Sequence, residues 1–379
     1  MKSLNLKLSA IAVAALASAS IGCGSKGGSF TLLPQGQTFQ QSAGQTINPQ
    51  MDILWVVDNS GSMQPLQQSM TANFTSFINE FQTKGFNFQL AVTTSDAYKS
   101  EVNFSNNPTL AKFRDGTNLT SHTGVFMINP LTTNLVNTFI TNAMQGDQGS
   151  GDERIFSSMR DALASPLNPG FLRTGDFMAV IILSDEDDFS GANRPENSWI
   201  FRGGVTDHNY TASTLDTVAS YVNYLDTFTM STPTNRSYNV SAITVMDATC
   251  LASHKALASS SIIGQRYLDM VDSVNTGLAP VVQGVKASIC GDYATQLQQI
   301  AASILTLSTK FVLASVPVAS TIVVTVNGTT VPNAGTNPLN NGGWSYDTAS
   351  NSILFTGALY IPPSGATIGV NYTPASYGN

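Results

Sequence analysis

The sequence predicts an α/β fold: a doubly wound, mostly parallel sheet with helices on both faces, followed by a small antiparallel β domain. Three features of the 379 residues carry this. Two almost wholly apolar runs, MDILWVV at 51–57 and FMAVIIL at 177–183, stop abruptly at Asp58-Asn59-Ser60-Gly61 and Ser184-Asp185-Glu186-Asp187-Asp188. Runs that are apolar on both faces and bounded by turn residues fit buried parallel strands. Segments of helical period alternate with them, as in a sheet covered on both sides. Beyond about residue 316 the period switches to two.

In chain order, 64–81 has apolar residues at Leu66, Met70, Phe74, Phe77, Ile78 and Phe81, the three-and-four spacing of an amphipathic helix. A second strand is expected over 86–94 and helices over 131–144 and 153–163. After the 177–183 strand come a helix near 212–228, a strand over 238–246, and helices near 264–274 and over 293–307. In the tail Ile322, Val324 and Val326 alternate with polar or outward positions, and Asn327-Gly328 is a strong hairpin-turn signal. Trp344 and Tyr346, Ile353 and Phe355, then Ile368, Val370 and Tyr372 repeat the period, giving about four to six strands.

Hydrophobic residues make up 42% and charged residues 11%, so a large core is available and Asn, Ser, Thr and Gln supply the polar surface. The net charge is -7 with no basic run, which excludes a nucleic-acid partner and is compatible with a cation as ligand. His122, His208 and His254 are far apart with no metal-ligand spacing and are read as ordinary surface or polar-core residues. No phosphate loop, GxSxG elbow, HExxH or CxxC occurs.

Residues 1–22 read as a secretory signal, with Lys2 and Lys7 ahead of an apolar stretch too short to span a bilayer. It ends in Ser20-Ile21-Gly22-Cys23, which resembles the lipobox of bacterial lipoproteins. That resemblance implies an acylated Cys23 anchoring the chain in a membrane. Gly24, with no Asp in its place, implies the outer membrane, on its periplasmic or surface face. Residues 23–49, rich in Gly, Ser, Gln and Thr, read as a flexible tether. With Cys23 acylated, Cys250 and Cys290 remain, and an exported chain permits a disulfide between them. Closing a loop of that size would constrain the unfolded chain by about 4 kcal/mol. Two separate buried thiols are the alternative.

Asp58-x-Ser60-x-Ser62 follows the first apolar run. Its oxygen-bearing residues, two apart in an extended turn, point the same way. Carboxylate and hydroxyl oxygens suit a hard divalent cation. An apolar strand, DxSxS, a helix and a second acid-tipped strand about 120 residues on together resemble the metal-ion-dependent adhesion site of von Willebrand factor type A domains, over roughly residues 50–310. The resemblance implies a Rossmann-type fold over 50–312, with 313–379 as the small β domain. It implies direct metal contacts from Ser60 and Ser62, a role through water for Asp58, and a further ligand at Asp185. The family's remaining ligand, a Thr, has no counterpart in Gly149-Ser150-Gly151-Asp152-Glu153. Ser150 is the best substitute, and Asp152 or Glu153 the alternatives that would tilt the site toward Ca²⁺. Mg²⁺ is the first expectation for the metal, with Ca²⁺ or Mn²⁺ open. Asp187 and Asp188 are read as a solvated acidic loop, with a second calcium site as the alternative.

The function expected from this resemblance is a membrane-anchored, metal-dependent protein-binding or adhesion module of the cell envelope. A carboxylate from a protein partner would complete the metal's coordination. Trp199, Phe201 and Arg202, in the loop after Asp185, are residue types enriched in binding hot spots and are candidate partner contacts. They could equally pack the loop down. The alternatives are a structural envelope component whose metal only stabilises loops and, behind it, a metal-assisted hydrolase. No nucleophile or general base accompanies the site, so the chain is not expected to be an enzyme.

Overall fold

The structure is a computed structural model that describes residues 39–47, 50–117, 122–191, 215–276 and 284–375. The signal segment, Cys23, most of the tether, and Trp199, Phe201, Arg202 and His208 lie outside the described residues. Among the described residues no helix is long and apolar enough to cross a membrane.

Strand β1 (Phe39–Ile47) is followed by β2 (Gln50–Val57), helix α1 (Gln64–Gln82) and β3 (Asn87–Thr94). Next come α2 (Leu135–Ala143), α3 (Ile155–Ala164), β4 (Phe177–Leu183), α4 (Val218–Phe228) and β5 (Tyr238–Thr244). After these lie α5 (Ala248–His254), α6 (Gln265–Asn275), β6 (Lys286–Ser288) and α7 (Tyr293–Ser308). The remainder is β-structure: β7 (Phe311–Val312), β8 (Val323–Val326), β9 (Thr329–Val331), β10 (Gly343–Asp347), β11 (Ser352–Thr356) and β12 (Ala366–Tyr372).

Five strands form an all-parallel sheet in the order β3-β2-β4-β5-β6. Alternation along β2 sends Ile53, Trp55 and Val57 into one apolar cluster with α1, α2 and α7, and Leu54 and Val56 into a second with α3, α4 and α6. Both faces are therefore covered, which is why β2 and β4 read as almost wholly apolar runs. Trp55 meets Phe77 and Phe139 edge-on, both at 5.5 Å between ring centroids, joining α1 and α2 to the sheet. These aromatic contacts add to the burial of large apolar area.

The tail forms two antiparallel sheets, β1-β12-β8-β9 and β10-β11-β7. Asn327 and Gly328 both have positive φ, 50° and 79°, and turn β8 into β9 as the sequence predicts. Two expectations need correction. Residues 39–47 are not tether: they form β1, whose Phe39 and Ile47 pair with Tyr372 and Ala366 of β12. The β module is thus assembled from both ends of the chain, with the parallel-sheet region inserted between β1 and β7, rather than being confined to 313–379. It also shares an apolar cluster with that region: Phe311, Ile353 and Phe355 join the residues of α1 and α7. Lys84, just past α1, donates through Nζ to the carbonyls of Ala358 (2.6 Å) and Ile361 (3.1 Å).

Candidate functional site

The strand order fixes where a ligand would bind. From β2 the chain moves to β3 on one side and then returns to β4 on the other, so the order reverses between β2 and β4. In open parallel sheets the crevice lies outside the carboxyl ends of the strands at this reversal. Those two ends carry Asp58 and Ser184-Asp185.

Asp58 is fully buried. Its Oδ1 accepts from the Ser60 amide (2.9 Å) and the Ser95 hydroxyl (3.2 Å), and its Oδ2 from the Ser184 hydroxyl (2.7 Å). Burial first, and the neighbouring Asp185 second, push its carboxyl up to about 7. Ser62 donates to Asp185 Oδ1 at 2.8 Å, so residues 123 positions apart meet. Asp185 Oδ2 accepts from the Ser261 hydroxyl (2.7 Å) and lies 3.2 Å from His254 Nε2. The Ser60 hydroxyl is buried and has no hydrogen-bond partner among the described residues.

A third loop closes on this pair. Gln67, on α1, donates to the carbonyls of Asp58 (2.8 Å) and Gly146 (2.9 Å) and accepts from the Gly146 amide (2.9 Å). The Gly149 amide donates to the Asn59 carbonyl at 2.7 Å. A Cβ on Gly149 would stand 2.5 Å from Asn59 Cγ, so only glycine allows this approach. The next residue, Ser150, donates its amide to Asp96 Oδ1 (3.3 Å) and accepts from the Asp152 amide through its hydroxyl (3.1 Å).

The other candidate acids are all buried. Asp152 Oδ2 takes Nε and Nη2 of Arg154, each at 2.9 Å, and the guanidinium lies 4.5 Å from the Phe104 ring centroid. Glu153 is buried, and its carbonyl accepts from the Phe189 amide. Asp187 and Asp188 are not a solvated loop, as expected, but fully buried. Asp187 Oδ1 accepts from the amides of Asp188 and Arg266, both at 2.9 Å. Asp188 accepts from the Phe156 amide, the Ser190 amide and hydroxyl, and Nε and Nη2 of Arg266. Five donors on one carboxylate give the charge its compensation inside the protein.

Among the described residues no three His, Cys, Asp or Glu side chains group so as to hold a metal. A cation here would therefore need serine hydroxyls, and the donor set meets that test. Ser60 Oγ is buried without a partner, and the Ser62–Asp185 oxygen pair is 2.8 Å apart. That separation is close to the edge of about 2.9 Å in an octahedron with metal–oxygen bonds of 2.0–2.1 Å. Residues the sequence reading missed are Ser95, Ser184, Ser261 and His254. Ser184 is adjacent to Asp185 and could have been found from that; the others have no local signal. Cys250 and Cys290 form a disulfide, which excludes the two-thiol alternative.

No family profile and no curated protein matches this chain. Among solved structures it is similar to the pilus adhesin SpaC of Lactobacillus rhamnosus GG in its open conformation. The identity is 14% and the TM-score 0.41, over 87% of this chain and 39% of that one. Proximal thread matrix protein 1 of the mussel byssus gives 11% and 0.37, over 72% and 52%. The pilus adhesin RrgA of Streptococcus pneumoniae gives 10% and 0.30, over 87% and 57%. The chain spans under two thirds of the length of each, and at these TM-scores the likenesses carry no argument here.

Proposed function

We propose that this chain is a divalent-cation-dependent protein-binding or adhesion module of a bacterial cell envelope, with the von Willebrand A-like site at Asp58, Ser60, Ser62, Ser150 and Asp185. The observation that carries the reading is the buried, unpartnered Ser60 hydroxyl beside Asp58 at the sheet's reversal point. Ser60, Ser62 and Asp185 would hold Mg²⁺, Ca²⁺ or Mn²⁺, with Asp58 acting through water. Its two carboxylate oxygens already accept from Ser60, Ser95 and Ser184, which suits a residue that orients rather than ligates. The bound cation supplies a charge that an acidic residue of a partner protein can engage, and the surrounding loops select the partner. Acylation at Cys23 would anchor the chain in the outer membrane. The reading gives the chain no enzymatic activity.

The test uses the ectodomain immobilised in envelope or host-cell extract, with Mg²⁺ or with chelator, beside Ser60→Ala. A bound protein should be retained only by wild type and only with the cation, and chelator should elute it. Cation-raised melting without any cation-dependent capture would favour the loop-stabilising structural role. A wild-type protein whose melting ignores all three cations would sink the metal reading.

A further inference from the structure

We propose that the Cys250–Cys290 disulfide is a positioning staple for the cation site, holding His254 against Asp185. Its effect on cation affinity rests on the function proposed above; the coupling between the disulfide and His254 does not.

His254 ends α5, a helix of seven residues, of which only Cys250 and His254 are buried. So short a helix has little stability of its own and depends on tertiary anchorage. Asp247 caps it by accepting from the Cys250 amide at 2.8 Å. Cys250 and His254 stand four residues apart, on one face of the helix. Beside the half-buried Leu251, which packs against the core, the disulfide supplies the covalent anchorage of the helix and the His254–Asp185 contact a polar one.

The other end of the staple, Cys290, lies in the segment between β6 and α7, three residues before Tyr293, the first residue of α7. Burial first, then the Asp185 charge, pushes the Tyr293 phenol well above its ordinary value. The bridge therefore ties α5, whose His254 meets Asp185, to the segment that leads into α7. Asp185 Oδ1 is the oxygen that meets Ser62, and Oδ2 is the one held by Ser261 and His254. Fixing Oδ2 aims Oδ1. Outer partners of metal-binding side chains are worth about 10- to 100-fold in affinity. Cys290 is exposed, so a soluble dithiol can reach the bridge. Reduction consumes two electrons and two protons, leaves two thiols, and converts the dithiol to its own cyclic disulfide.

The experiment measures the Mn²⁺ dissociation constant by electron paramagnetic resonance, and follows the His254 ring resonances by NMR in cation-free protein. Oxidised wild type is compared with dithiol-reduced protein, His254→Leu, His254→Gln and reduced His254→Leu. Reduction and His254→Leu should each weaken Mn²⁺ about 10-fold or more, while His254→Gln, which keeps a donor, should retain most of the affinity. Reducing His254→Leu should add little further, because both changes remove the same contact. Reduction should also shift the His254 ring resonances in the cation-free protein. A merely structural staple would lower the melting temperature and leave the dissociation constant alone. Ring resonances and affinity both unmoved by reduction, in a wild type that binds Mn²⁺, would overturn the staple alone. A wild type that binds no Mn²⁺ yet shows the ring shift would overturn the cation site and leave the staple standing.

Discussion

Replacing Asp58 by Asn tests the electrostatics of the site without a ligand. The carboxyl is fully buried, and burial and Asp185 push it from 3.8 up to about 7. A raised value means the native state disfavours the ionised form. Below about pH 4 the group is protonated whether folded or not, and nothing is lost. Between about pH 4 and 7 it ionises only on unfolding, so native stability falls as pH rises; above about pH 7 the loss is constant. Roughly three units at 1.36 kcal/mol each make that loss about 4 kcal/mol. Asn keeps one acceptor for Ser60 and Ser95 but turns an NH₂ toward Ser184, costing about 1–2 kcal/mol. In chelator, Asp58→Asn should therefore match wild type near pH 5 and exceed it by about 2 kcal/mol at pH 8, roughly 3 °C in Tm for a folded unit of this size. Thermal melts of both proteins at the two pH values give the answer. An equal difference at pH 5 and pH 8 would refute the argument, since a neutral packing effect has no reason to follow the carboxyl's ionisation.

Gly149→Ala should push the 149 loop off Asn59, lower stability by about 1–3 kcal/mol, and weaken the melting response to cation. An unchanged response would remove Ser150 from the ligand set. Asp188→Ala should cost about 3–5 kcal/mol by stranding Arg266 in the interior, yet leave the shift produced by Mg²⁺ intact in calorimetry. Loss of that shift would return Asp188 to the metal. A chain started at Gln50 should lose stability and self-associate in light scattering, because removing β1 bares the edge of β12. A monodisperse, equally stable product would mean β1 is dispensable.

The elements most legible in the sequence are those whose physics is local. β4 coincides with the 177–183 run, and α1 matches its apolar spacing to within a residue. The helix expected over 131–144 begins only at Leu135, since Leu131 is exposed beside Pro130 and has no core to face. What escaped is non-local. β1 is polar and glycine-containing, and becomes a strand because β12, more than 300 residues away, offers it a ladder. Asp187 and Asp188 looked solvated because the arginine that compensates them is 78 residues from Asp188. α5 is too short to set a period, so His254 gave no sign that it faces Asp185. The DxSxS residues were found because strand, turn and helix are contiguous there. The serines that hold the two aspartates come from three other loops.

The way the chain threads its β module has a mechanical consequence. β1 runs directly into β2, the strand that delivers Asp58, with two residues between them. β2 spans about 26 Å at roughly 3.3 Å per residue, so Asp58 stands that far from the end that meets β1. With an anchor at Cys23 and a partner gripped at the sheet's opposite end, tension would pass in series through β1 and the central strand. β1 would be dragged lengthwise along β12, loading its ladder of hydrogen bonds together, in shear, instead of peeling them one by one. Tethered and loaded in this way, the molecule would resist pulling at the β1–β12 clasp, while the parallel sheet beyond it would carry the load along its strands.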